Sequence, residues 1–136
     1  MPGPPPKIDP ARRHSRVGPL QLPAEGRQGD APAWPLGRQS AAEKTTWAQL
    51  WRTPHAVAWE RLGWTRTVAR YCRFLVRVEA GLPLPAELTH VLALEDRLGL
   101  TPKAMRMLLW EIVSDEVGDR RATNAPSVRG RIKAVG

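Results

Sequence analysis

Arg66, Arg70, Arg73 and Arg77 recur at intervals of four, three and four. At ~100° per residue that series places four guanidinium groups on one narrow stripe of an α-helix. Val68, Tyr71, Cys72, Leu75 and Val78 fall on the opposite side of the same wheel, so the segment has a core face and a cationic face. A row of planar guanidinium forks on a rigid rod is suited to phosphate oxygens, which it can bond in pairs. Helix-turn-helix recognition helices usually also carry Ser, Asn, Gln or Thr for base edges, and here the candidates are mainly Thr65 and Thr67 at the N-terminal end. The stripe therefore supports positioning on a phosphate backbone better than sequence readout. The plain alternative is a solvated surface whose arginines pair with Glu79 or with acids elsewhere in the chain. Against it, the positions four residues away along the stripe hold more arginine instead of the carboxylates that intrahelical pairing would supply.

The element that carries these residues follows from caps and breaks. Ser40 and Glu43 make a capping box, and Trp47, Leu50 and Trp51 repeat behind it, which predicts a helix from about Ala41 to Arg52. Thr53 and Pro54 end that helix and open a second, Pro54 to Leu62, which stops at Gly63. After the turn Gly63-Trp64-Thr65, the arginine helix runs from Thr65 to Ala80, so helix, turn and helix follow in the order of a helix-turn-helix unit. A fourth helix is expected over Ala86 to Leu98. Leu98-Gly99-Leu100-Thr101-Pro102 stops it and starts a fifth, Lys103 to about Val117, burying Met105, Leu108, Leu109, Ile112 and Val113. No sustained alternation or hairpin turn argues for a strand. The expected fold is all-α: a compact bundle of about five short helices with flexible arms at both ends.

Met107 and Trp110, three residues apart, lie opposite the expected core face of the fifth helix. A second apolar face needs a second cover, and contact with another subunit is the natural one, the leader or tail folding back being the alternative. Trp47, Trp51, Trp59 and Trp64 are expected to form an aromatic core, because stacking on unpaired bases would require exposed rings interleaved with basic residues.

Net charge is +8 over 136 residues, unevenly spread. Residues 1–39, a Pro-, Gly- and Arg-rich leader, carry +3; the helical domain at 40–117 carries +1; the tail at 118–136 carries +4. In the leader, Trp34 beside Pro35 is a candidate for docking on the domain. In the tail, Arg120, Arg121, Arg129, Arg131 and Lys133 have no apolar period to fold around. Cationic arms of this kind attract polyanions through counterion release. The single cysteine, Cys72, excludes an internal disulfide framework and sits on an apolar face, where a buried thiol is the simpler reading than a nucleophile. His14, His55 and His90 lack ligand-like spacing, and no nucleotide-binding loop, zinc-protease motif or nucleophile elbow is present. No cofactor or metal and no catalysis is expected. The basic N-terminus lacks the apolar stretch of a signal peptide, and no run approaches a membrane span, so a cytoplasmic location away from the membrane is expected.

Two stretches resemble small terminase subunits of tailed bacteriophages, particularly those of phages and prophages of high-GC actinobacteria. They are WAQLWRTPHAVAWERLGWTRTVARYCRFLVRVEA, Trp47 to Ala80, and LEDRLGLTPKAMRMLLWEI, Leu94 to Ile112. The latter stretch is similar to the late Leu-Gly-Leu-Thr/Ser-Pro block of that group, although Lys103, Ala104, Met105 and Arg106 stand where the family often continues with serine and arginine. The resemblance covers about half of the chain. It implies a non-enzymatic subunit in the bacterial host cytoplasm that binds double-stranded viral DNA and assembles into a ring. Such a subunit delivers the DNA to the large terminase subunit, an ATPase and nuclease, for packaging into the procapsid. The residues alone leave open a small helix-turn-helix transcriptional regulator, or a phage head-assembly adaptor without a DNA role.

Overall fold

Residues 2–3 and 18–114 are described by a computed structural model. Strand β1 (Leu20–Pro23) is followed by five helices, α1 (Ala41–Leu50), α2 (His55–Leu62), α3 (Thr65–Glu79), α4 (Pro85–Arg97) and α5 (Pro102–Leu108), and then by strand β2 (Trp110–Val113). The helix starts and stops follow local chemistry. Both arms of the Ser40/Glu43 capping box form, with Glu43 N–H donating to Ser40 Oγ at 3.1 Å. Gly63 ends α2 in the left-handed conformation (φ 68°). Thr101 Oγ1 accepts from Ala104 N–H at 3.1 Å, and Pro102 opens α5. Thr53 departs from expectation: its hydroxyl donates back to Leu50 O (2.7 Å), and α2 has no side-chain cap.

Helix α3 is the centre of the domain, packed against α1, α2 and α4, with Val68, Ala69, Tyr71 and Cys72 buried. A run of edge-to-face tryptophan pairs crosses the core: Trp34 to Trp47 (5.0 Å between ring centroids), Trp47 to Trp51 (5.4 Å) and Trp51 to Trp59 (5.9 Å). Three of their N–H groups reach backbone carbonyls, Trp59 Nε1 to Leu98 O (2.9 Å), Trp47 Nε1 to Pro32 O (2.8 Å) and Trp34 Nε1 to Gly37 O (3.2 Å). These rings pack on one another and on the core. Burial pushes the Cys72 thiol up to about 12. The native protein is accordingly expected to react with a disulfide reagent at pH 8 at least a hundredfold more slowly than the unfolded chain, since the attacking species is the thiolate. Equal rates in the two states would contradict the burial of Cys72.

Three expectations are corrected. The leader at 1–39 is not free throughout: residues 18–39 belong to the fold through β1 and the docked Trp34, and Arg27 N–H bonds Thr53 O (3.3 Å). Strands exist, paired in parallel with Leu20 opposite Trp110 and Pro23 opposite Val113, and Leu20 N–H donates to Leu109 O at 2.7 Å. The fifth helix ends at Leu108, nine residues short of the expected Val117, with Leu109 in the left-handed region (φ 58°). As a result Leu108, Leu109 and Ile112 are exposed, and Trp110 is 7% exposed within the core. The reason is a distant partner and a space left open. β1 offers a ladder that no local pattern announces, and Gly99 leaves room for the Trp110 ring, since a Cβ there would collide with Trp110 Cζ3. The all-α expectation thus gives way to a mainly helical fold with a small two-stranded sheet.

Candidate nucleic-acid interface

The turn Gly63-Trp64 delivers the chain from α2 into α3, with Trp64 N–H bonded to Trp59 O (3.0 Å) and the Trp64 ring 6.0 Å from that of Trp110. Trp64 provides no side-chain cap, and the first turn of α3 holds no acid. The positive end of the α3 dipole therefore carries amide donors without a capping oxygen. Thr65 and Thr67 are half-buried beside it, and Arg66 and Arg70 are exposed.

The four arginines do not act as one row. Arg73 is committed within the monomer: Nε donates to Glu43 Oε2 (2.9 Å), Nη2 donates to Gly37 O and Arg38 O (2.8 Å each), and the guanidinium lies 5.4 Å over the Trp34 ring. It fastens the leader to α1 and α3, and so it is withdrawn from the expected DNA contacts. Arg77 pairs with Glu87 of α4 at 2.6 Å while its side chain stays 60% exposed. The carboxylates missing from α3's own stripe come from neighbouring helices. Arg70 donates weakly to Thr67 Oγ1 (3.4 Å), and among the described residues neither Arg66 nor Arg70 meets a carboxylate. The free part of the stripe is thus its N-terminal half, one helical turn or about 6 Å long. Arg61, exposed in the last turn of α2 five positions before Arg66, adds a third cation near the turn. Its signal in the sequence was its place beside Gly63, on the other helix of the pair.

Arg27 is a second structural arginine that composition did not single out. Nε and Nη2 grip both oxygens of Glu60 (3.1 and 3.0 Å), Nη1 donates to Asp30 O (2.9 Å), and the guanidinium lies 5.5 Å from the Trp51 ring centre. The mutual hydrogen bonds raise the Arg27 pKa and lower that of Glu60. His55 is packed near Trp59 and Trp110 (6.2 and 6.3 Å), where burial lowers its pKa. It is a half-buried histidine at the edge of the core.

The expected pairing of Met107 with Trp110 on one helix face is also corrected. Met107 is 76% exposed near the end of α5, whereas Trp110 is in β2 and points into the core. Met107 instead helps to line an open groove of about 270 Å³ with Asp96, Arg97, Lys103, Ala104 and Leu108. Arg120, Arg121, Arg129, Arg131 and Lys133 lie outside the described residues. Among the described residues no three or more His, Cys, Asp and Glu side chains gather to hold a metal ion, and no helix is long and apolar enough to cross a membrane. Comparison with protein-family models, with curated proteins and with solved structures gave no match.

Proposed function

We propose that the chain is a DNA-recognition subunit of the small-terminase type, which binds viral duplex DNA and presents it to a large terminase subunit for genome packaging. One observation carries the DNA-binding part: Arg66 and Arg70 are exposed and without carboxylate partners among the described residues, on the uncapped N-terminal end of α3 and beside Thr65 and Thr67. In helix-turn-helix docking the N-terminal residues of the second helix approach the bases while backbone amides and cations hold phosphates. The order α2, turn, α3 supports the same docking. The packaging role and the large-subunit partner rest on the resemblance of Trp47 to Ala80 and Leu94 to Ile112 to that family. The order of α2 and α3 would serve a dimeric transcriptional regulator equally well. Assembly well above a dimer separates the two.

The test is duplex binding over a salt series with the full chain and with a chain truncated after Gly118. Arg66 and Arg70 alone correspond to a log–log slope of roughly −2, and the five tail cations would steepen it to as much as about −6. Truncation is expected to flatten the slope without changing the melting curve. Absence of any duplex binding by the full chain at low salt would overturn the reading in favour of a structural adaptor.

A further inference from the structure

Two apolar features of opposite shape sit at opposite ends of α4. At its N-terminal end, Leu82 is fully exposed and held at φ 44°, a backbone region that branched residues rarely occupy. Leu84, two residues on, is exposed as well. Leu82 thus forms an apolar protrusion that nothing within the described residues covers. At the other end lies the groove of Ala104, Met107 and Leu108, rimmed by Arg97 and Lys103. The third charged rim residue, Asp96, accepts the Thr101 hydroxyl (2.8 Å) and keeps its negative charge, so two cations against one carboxylate leave the rim net positive. Glu79, the exposed last residue of α3 and three positions before Leu82, has no salt-bridge partner among the described residues; neither have Arg97 and Lys103.

We propose that the groove receives Leu82 and Leu84 of a second copy of this chain, with that copy's Glu79 meeting Arg97 and Lys103. An apolar protrusion three residues from an unpaired acid is complementary in charge to an open apolar groove with a net positive rim. The thirteen residues of α4 hold the two features about 18 Å apart, so one molecule cannot satisfy its own groove. The contact joins different surfaces of identical chains. It is heterologous, and it propagates head to tail until a ring closes or a filament grows. This inference rests on the small-terminase reading, for which assembly well above a dimer is the distinguishing outcome, and gives that assembly a surface.

The experiment measures mass by light scattering across a concentration series for the full chain. It uses Leu82→Asp, Leu82→Ser and Met107→Glu, all at exposed positions where the circular dichroism spectrum should match the parent's. Each is expected to weaken assembly by about a hundredfold or more, as loss of a central apolar anchor does, and to leave the 15.1 kDa monomer where the parent is assembled. Glu79→Lys and Lys103→Glu should each weaken assembly by roughly tenfold, and together should recover most of the loss. Parent-like assembly by folded Leu82→Asp would overturn the proposal, as would a parent that stays monomeric throughout because its own tail or another protein fills the groove. DNA binding scored on the same samples separates the two readings. Folded monomeric variants that still bind duplex DNA sustain both, whereas a parent that assembles through Leu82 and binds no DNA sustains only the interface.

Discussion

Replacing Trp110 with alanine is expected to destabilise the domain by about 3–5 kcal/mol, the range for truncating a buried aromatic. The ring is 7% exposed, packs 6.0 Å from Trp64 and 6.3 Å from His55, and fills the space over Gly99. Alanine would open a cavity against all three and remove the side chain that anchors β2 beside β1. In a domain of this size the melting temperature should fall by more than about 10 °C. Trp110→Phe should cost less, because it retains one ring of the contact. Met107→Ala, at an exposed site, should stay within about 0.5 kcal/mol. Thermal and chemical denaturation followed by circular dichroism check the series. A Trp110→Ala protein with parental melting and reduced assembled mass would return this residue to an intersubunit surface and contradict its place in the core.

The second large effect separates two neighbours on the same helix. Arg73→Ala is expected to lose about 2–3 kcal/mol, because it strands the Glu43 carboxylate, which is 9% exposed, and releases the Gly37 and Arg38 carbonyls together with Trp34. The figure is set below that for a fully buried pair, since the arginine itself is about one-third open to solvent. Arg70→Ala, one turn earlier, should leave stability within about 0.5 kcal/mol. Lysine should not rescue position 73, because one ammonium cannot reproduce the fork that holds Glu43 and two carbonyls at once. A double-mutant cycle with Glu43→Ala measures the pair directly. Equal stability for Arg73→Ala and Arg70→Ala would mean that the clasp adds nothing to folding.

The contrast between these two arginines shows where sequence reasoning reaches its limit. Helix spacing shows correctly that Arg73 has no carboxylate on its own stripe, but Glu43 is thirty residues away on α1 and the two carbonyls lie in the leader. Such partners become visible only once the chain is folded. Local signals hold up well where the chemistry is local: Ser40 with Glu43, Gly63, and Thr101 with Pro102 mark real helix ends. The docking of Trp34 is legible from its isolation beside proline. The stretch Met107 to Val113 misleads because a short apolar run satisfies either period, and the deciding partner, Leu20 to Pro23, lies about ninety residues earlier.

The most direct test of the DNA-binding claim is the salt dependence of duplex affinity for Arg66→Ala/Arg70→Ala against the parent, with melting curves recorded on the same samples. The double variant is expected to melt like the parent, to lose affinity for all duplex sequences by similar factors, and to give a plot of log affinity against log salt shallower by roughly two units. A folded double variant with the parent's affinity and slope would contradict the assignment of the N-terminal end of α3 to DNA.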